Sequence, residues 1–524
     1  MRPVYLSGMM GTGKSTVGRL VAARLGRPFV DLDAEVEEEA GRPIAAIVAR
    51  QGEQAFRRLE GERVAALVER EDAPVVALGG GTVAHEESRA RLRRSGTLLT
   101  LTAPPRVLAA RIGADRARPL LARADGHPMT DDERAATLAR LARERQDAYE
   151  EAHGVIDVDR RSPDEVADAV LAVVRSAPVL VPLGRRSYRV LVGRGVRAEV
   201  ERAIAHWSSA LVVTDANVAE PWARPLARAL GAPVEILPPG EAHKTIATVD
   251  RIWRAALASG VDRAGGLVAV GGGVVGDMTG FAASTLHRGV ASVQVPTTVL
   301  AMADASVGGK TGVDRPEGKN LVGSVHQPEA VLADLDTLTT LPAEERRSGL
   351  AEVVKAAWIE GEDAVAALEG AAPALAAGEP EALGPAVRRA VALKAEVVAE
   401  DEREGGRRRV LNLGHTVAHA LEAASGYALR HGEAVALGLV AAFQVAEALG
   451  DAGASAQRRR LSALLDALGL PTDVAGRLTP DVLDRFGADK KRVGTTLHAV
   501  VPGRPGEVTV TSLEVGALRR MLAG

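Results

Sequence analysis

The chain has 524 residues, 46% of them hydrophobic, a net charge of −3 and no cysteine. That length is too great for one compact core and implies two to four domains. The charge excludes the basic field that holds a nucleic-acid backbone; the missing cysteines exclude disulfides and thiolate metal sites; and no uninterrupted apolar run of about 18 residues is available to span a membrane.

The N-terminus enters a short apolar strand, Val4 to Leu6, with no apolar leader or cleavage site before it, so a cytoplasmic protein is the expectation. The strand runs into Gly8-Met-Met-Gly11-Thr12-Gly13-Lys14-Ser15 and then an amphipathic helix, Thr16 to Leu25. The spacing G-x-x-x-x-G-K-[ST] between strand and helix predicts a phosphate cradle. Backbone N–H groups turn toward phosphate, Lys14 reaches the outer phosphates, and Ser15 offers its hydroxyl to Mg²⁺. Gly11, Thr12, Gly13, Lys14, Ser15 and Thr16 are the expected ATP contacts. Downstream, Phe29-Val-Asp31-Leu-Asp33 puts two carboxylates at the end of a strand, one placed for Mg²⁺ and one for a hydroxyl. Phe56-Arg57-Arg58-Leu-Glu60 and Leu78-Gly79-Gly80-Gly81 follow. Strand-like runs at 74–78 and 97–101 alternate with helical patterns, which predicts a parallel α/β sheet. Ser162-Pro163-Asp164-Glu165 is a capping box opening a helix to about Arg175, and Ser176-Ala177-Pro178 breaks it, which places a boundary near 176.

In this order the motifs resemble shikimate kinase over residues 1 to about 175. The resemblance implies a P-loop kinase fold with ATP and Mg²⁺, in which Asp33, Arg57 and Gly80 contact shikimate and Arg57 clamps its carboxylate. It makes Asp33 the acceptor of the hydroxyl proton and lays Arg111 against adenine. Arg118, in Arg118-Pro-Leu-Leu121, would sit on a lid and neutralise the transferring phosphate. Arg145 matches the family's last arginine, four residues before Tyr149, although the proline and leucine of the usual R-x-P-L-Y pattern are missing here.

New strands at 179–182, 188–192, 210–214, 233–237, 267–270 and 292–295 indicate a second α/β region, and from about 340 the pattern turns helical and alanine-rich. Gly271-Gly-Gly273-Val274-Val275-Gly276-Asp277 follows an apolar strand and precedes a helix, so its backbone can approach a pyrophosphate. Of 65 basic residues only eight are lysine: Lys14, Lys244, Lys310, Lys319, Lys355, Lys394, Lys490 and Lys491. Where arginine serves for solvation, the surviving lysines mark sites that need a compact ammonium. Near the end of the lysine series comes Asn412-Leu-Gly-His415-Thr-Val-Ala-His419-Ala-Leu-Glu422, with His431-Gly-Glu433 after it. On a helix His415 and His419 share a face and could both reach one metal; alternatively one faces substrate and a third histidine completes the site.

Taken with Gly240, Glu241, Thr297, Thr298, Asp304, Asn320, Thr337, Thr340, Glu352 and Arg408, this ordered set resembles 3-dehydroquinate synthase from about 180 to the C-terminus. The resemblance implies Glu352, His415 and His431 as ligands of Zn²⁺ or Co²⁺, with His419 facing substrate. It implies NAD⁺ contacts at Gly240, Glu241, Lys244, Gly273, Val274, Val275, Gly276, Asp277, Thr297, Thr298, Asp304, Lys310, Lys319, Thr337 and Thr340. Arg288, Lys310, Asn320, Lys355, Lys394 and Arg408 would meet the anionic sugar substrate, with Asn412 also at the reacting centre and one of Lys490 and Lys491 joining them. The expected organisation is a kinase domain (1–176), a Rossmann-like NAD-binding α/β domain (177–336) and a mainly helical metal-binding domain (337–524), assembling as a homodimer through the synthase part. Two other readings compete: a related sugar-phosphate cyclase or metal-dependent alcohol dehydrogenase for the second part, and a nucleotide-binding regulatory module for the first.

Overall fold

Apolar runs and helical stripes alternate along the first 175 residues, and in the computed structural model they fold as parallel strands joined by helices. The structure describes residues 2–113, 121, 129–488, 492–493 and 496–523. The chain up to Ser187 forms one compact unit and the chain from Tyr188 a second.

In the first unit β1 (Val4–Gly8), β2 (Phe29–Asp31), β3 (Val75–Ala77), β4 (Thr97–Thr102) and β5 (Gly154–Asp157) form a sheet in the order β2-β3-β1-β4-β5, every pairing parallel. Residues of β1 are buried throughout, as a central parallel strand covered on both faces requires. Tyr5, Val30, Val76 and Leu98 pack on one side, while Val4, Leu6, Leu99 and Ile156 pack on the other. The Ser162 capping box is formed, with Pro163 opening the helix Pro163–Ser176. A short strand, β6 (Val179–Val181), follows it.

The second unit carries a parallel sheet with the order β7-β14-β11-β10-β8-β9, from β7 (Tyr188–Gly193), β8 (Ala210–Asp215), β9 (Val234–Leu237), β10 (Gly266–Gly271), β11 (Ala291–Pro296) and β14 (Ala330–Asp334). An antiparallel hairpin, β12 (Lys310–Arg315) and β13 (Gly318–Val325), interrupts the run between β11 and β14. Helices follow from Ala343. Close to the C-terminus the helical pattern gives way to an antiparallel sheet built on β15 (Thr496–Pro502) and β16 (Val508–Glu514), an addition to the helical region expected there. Among the described residues no helix is long and apolar enough to cross a membrane.

Candidate functional sites, one in each unit

The glycine loop leaves β1 and enters the helix Lys14–Leu25 through Gly13 at φ 85°, a left-handed conformation that glycine adopts without strain. The Lys14 ammonium donates to the loop's own carbonyls, Gly8 O at 2.9 Å and Met9 O at 3.2 Å. Ser15 donates to Asp31 Oδ2 at 2.7 Å, so the hydroxyl and the carboxylate expected near Mg²⁺ meet. The helix Pro105–Ile112 packs on this loop, since a Cβ on Gly11 would lie 3.0 Å from the Ile112 side chain. Its Arg111 donates to Val158 O at 2.9 Å.

The triplet Gly79-Gly80-Gly81 is where the remaining groups converge. A Cβ on Gly79 would stand 2.6 Å from Glu60 Oε1 and 2.8 Å from Asp33 Oδ1, and one on Gly81 would stand 2.6 Å from an Arg57 nitrogen. Glycine is required because charged side chains occupy the space a side chain would fill. Arg145 Nη1 and the Tyr149 hydroxyl both donate to Gly80 O at 2.7 Å, which brings Arg145 to the triplet despite its altered motif. Arg57 pairs with Glu60 at 2.8 Å and Glu53 at 3.0 Å. Solvent still reaches Asp33, yet the protein crowded around its carboxyl and the nearby negative Glu60 push it up to about 6. Glu60 itself, to which the sequence motif assigns no role, is buried and accepts a hydrogen bond from Thr82 at 2.6 Å. Arg118, Lys490 and Lys491 lie outside the described residues.

In the second unit three helices bring Glu352 (Ala343–Glu360), His415 (His415–Ala424) and His431 (His431–Ala448) together. One ligand atom from each lies within 4.8 Å of the others, the one such trio among the described residues. Glu352 Oε1 is 3.4 Å from His415 Nε2 and 3.3 Å from His431 Nε2. The opposite ring nitrogens face acceptors, Leu413 O at 3.1 Å from His415 Nδ1 and Glu422 Oε2 at 3.4 Å from His431 Nδ1. Both imidazoles thereby turn Nε2 inward, the arrangement a divalent metal needs. His419 is outside the trio; its ring stands edge-on to that of His415 with centroids 5.4 Å apart. Burial and the neighbouring Lys355 hold His415 below its usual range, whereas in His431 bonds to Glu352 and Glu422 outweigh burial and lift the ring to about 10.

A network of charged groups surrounds the trio. Lys355 pairs with Glu352 and also feels Asp304. Lys394 donates to Asp304 Oδ1 and to Asp304 O, each at 2.7 Å. Lys244 donates to Asp277 Oδ2 and Asn320 Oδ1, each at 2.6 Å. Lys319 lies 3.1 Å from Glu422 Oε1 and 3.4 Å from Glu241 Oε1. The fully buried Arg408 donates to Gly308 O at 2.9 Å and to Glu402 O. Lys310 and Asn412 both bond Glu404, a carboxylate not singled out from sequence. Glu352 and Glu422 are buried and Asp304 half-buried, and their charge is sustained by neighbouring cations against the cost of desolvation.

The glycine turn after β10 opens the helix Gly273–Thr285, with Val275 in the core, so that backbone and not that side chain faces outward for a phosphate. Thr297 N donates to Gly271 O at 2.9 Å, and a Cβ on Gly272 would meet the Thr298 methyl at 3.2 Å, so those threonines adjoin the turn. Gly240 stands at φ 98° before Glu241. Thr337 donates to Asp334 O, and Thr340 accepts from the Trp222 indole at 2.7 Å. Arg288 stands exposed at φ 68°.

Comparison with known proteins gives matches to both units. The family model described as shikimate kinase matches residues 10–175, that of 3-dehydroquinate synthase N-terminal matches 234–348, and that of 3-dehydroquinate synthase C-terminal matches 349–492. A 3-dehydroquinate synthase of Symbiobacterium thermophilum is 45% identical over 340 residues, covering 63% of this chain and 95% of that protein. A 2-epi-5-epi-valiolone synthase of Streptomyces hygroscopicus subsp. jinggangensis, solved with NAD⁺ and Zn²⁺, is 31% identical with a TM-score of 0.57, covering 64% of this chain and 96% of that one. A 2-deoxy-scyllo-inosose synthase solved with carbaglucose-6-phosphate, NAD⁺ and Co²⁺ is 26% identical with a TM-score of 0.58, covering 66% of this chain and 98% of that one.

Proposed function

Because this chain belongs to the 3-dehydroquinate synthase family, and over residues 10–175 to the shikimate kinase family, we propose a division of two reactions of one pathway between its two units. The chain is a bifunctional enzyme of the shikimate pathway. It phosphorylates shikimate with ATP, and it converts 3-deoxy-D-arabino-heptulosonate 7-phosphate to 3-dehydroquinate with release of phosphate. The observation that carries the reading is the convergence of Glu352, His415 and His431 beside Lys355 and Lys394, on the same chain as the loop that holds Lys14.

In the kinase unit, residues 11–16 wrap the phosphates of ATP, with Lys14 leaving its loop carbonyls for phosphate oxygens and Ser15 and Asp31 turned to Mg²⁺. Arg57, Gly80 and Arg145 place shikimate so that its hydroxyl meets Asp33, the proton acceptor, while Arg111 and Arg118 serve the nucleotide.

In the synthase unit the donor set, one carboxylate and two imidazoles presenting Nε2, fits Zn²⁺ or Co²⁺, and both similar synthases carry one of these with NAD⁺. A metal held by Glu352, His415 and His431 would supply Lewis acidity toward a substrate oxygen, and NAD⁺ held at the turn Gly271–Gly273 would supply a reversible hydride acceptor. His419 faces the substrate beside the metal ligands. Lys310, Lys355, Lys394, Arg408, Asn412 and Asn320 orient its phosphate and carboxylate, whereas Lys244, Asp277, Glu241 and Lys319 line the dinucleotide side. The exposed apolar side chains Leu321, Val322 and Val325 on β13 support a homodimer through this unit, and sedimentation of the purified chain tests it. The synthase part divides near residue 337 into an NAD-binding and a metal-binding domain, and the protein works in the cytoplasm.

The test is an assay of the purified chain for phosphate released from the heptulosonate phosphate and for ADP formed on adding shikimate. Phosphate release that depends on NAD⁺ without accumulating NADH is the expected result. Stoichiometric NADH would point to a dehydrogenase, and ATP consumption indifferent to shikimate would remove the kinase assignment.

A further inference from the structure

Glu422 lies two helical turns after His415 on the helix His415–Ala424, so both side chains point to one face. Its side chain is 3% exposed, and each of its oxygens has a distinct neighbour. Oε2 is 3.4 Å from His431 Nδ1, and Oε1 accepts from Lys319 Nζ at 3.1 Å. Lys319 comes from β13 and is further held by the Tyr427 ring, 4.5 Å from the ammonium. A carboxylate this buried needs a cation to offset its desolvation, and Lys319 supplies one while fixing the direction in which the second oxygen points.

The two histidines of the trio are therefore oriented by unlike means. His415 gives its Nδ1–H to a backbone carbonyl, Leu413 O, which the chain path fixes. His431 has no such carbonyl in that role; its Nδ1 faces a side chain that itself depends on an ion pair with the hairpin. A carboxylate in this position holds one tautomer, turns Nε2 toward Glu352 and raises the basicity of the ligand nitrogen.

We propose that Glu422 is a positioning residue for the metal site, an outer carboxylate that sets the His431 ring through Nδ1 and is itself aimed by Lys319. The inference rests on the assignment of Glu352, His415 and His431 as ligands. It assigns Glu422 no contact with substrate, so its loss acts on metal affinity first and on turnover through metal occupancy.

Zinc alone is titrated into the metal-stripped full-length chain against a chromophoric chelator, for the unsubstituted protein, Glu422→Gln, Glu422→Asp and His431→Ala. Glu422→Gln should weaken zinc binding roughly 10- to 100-fold, the usual consequence of losing an outer-shell partner. Glu422→Asp, which keeps the charge on a shorter arm, should fall between. Synthase turnover in Glu422→Gln should return as free zinc is raised, and its shikimate kinase activity should match the unsubstituted chain throughout. If Glu422→Gln does not fold, the intermediate affinity of Glu422→Asp carries the test. Zinc affinity within about twofold of the unsubstituted chain in the folded variants overturns the proposal, as does lost turnover that saturating zinc does not restore. A chain that binds no zinc before substitution, or a His431→Ala variant that binds it undiminished, would instead refute the ligand assignment on which the proposal stands.

Discussion

The phosphate loop of the first unit and the lysine-lined surroundings of the metal trio in the second are both built to receive anions, but they hold their cations differently. Lys14 hydrogen-bonds carbonyls of its own loop, all within seven residues of chain. Lys244, Lys319, Lys355 and Lys394 each rest on a carboxylate brought from another turn or another element. A carbonyl that loses an ammonium is still neutral, whereas a buried carboxylate that loses one is left charged and uncompensated. The kinase loop is thus a local device whose lysine serves chemistry, while the synthase lysines also hold the unit together.

The largest effects separate metal from substrate. His431→Ala should lose bound metal and all synthase activity together, while His419→Ala keeps the metal and loses roughly 10²- to 10⁴-fold in turnover, as for a lost acid–base group. Metal analysis of the dialysed variants decides; a metal-free His419→Ala with a fully loaded His431→Ala would restore the pairing of two histidines on one helical face. Lys14→Ala should lower shikimate phosphorylation roughly 10²- to 10³-fold and leave both the thermal transition and the synthase reaction where they were. Its counterpart, Lys244→Met, strands Asp277 and should cost about 3 kcal/mol of stability in a urea titration. Equal stability losses from both substitutions would erase the contrast between the two units.

Smaller effects test the shikimate pocket. Arg57→Ala should raise the KM for shikimate roughly 10- to 100-fold through the lost charge-assisted contact and change the KM for ATP little, which initial-rate measurements with each substrate varied would show. Asp33, lifted to about 6, accepts a proton only above that pH, so kcat/KM for shikimate should fall as pH drops through about 6. Removing the negative neighbour with Glu60→Gln lowers that carboxyl's pKa and should move the acidic limb to lower pH by a fraction of a unit. A limb that stays in place would take Glu60 out of the electrostatics of the base.

The phosphate cradle was legible because its parts are contiguous: a strand, two turns' worth of glycine and one lysine specify a conformation without help from elsewhere. The parallel sheets and their approximate strand positions followed from alternating apolar and helical patterns, since burial on both faces leaves a clear trace in composition. Residue spacing alone left the ligand set open between a pair on one helix and a trio from three, because a helical period places His415 and His419 on one face without stating what stands opposite. Only the packing of the helices Ala343–Glu360 and His431–Ala448 against His415–Ala424 brings Glu352 and His431 to the His415 ring and leaves His419 beside them. Tertiary packing within each unit likewise turned Glu60 and Glu422 from ordinary charges into buried partners of Arg57 and His431, and set the half-buried Glu404 against Lys310. A carboxylate's sequence neighbours do not determine its burial, and the partners of Glu422 and Glu404 come from 9 and 94 positions away.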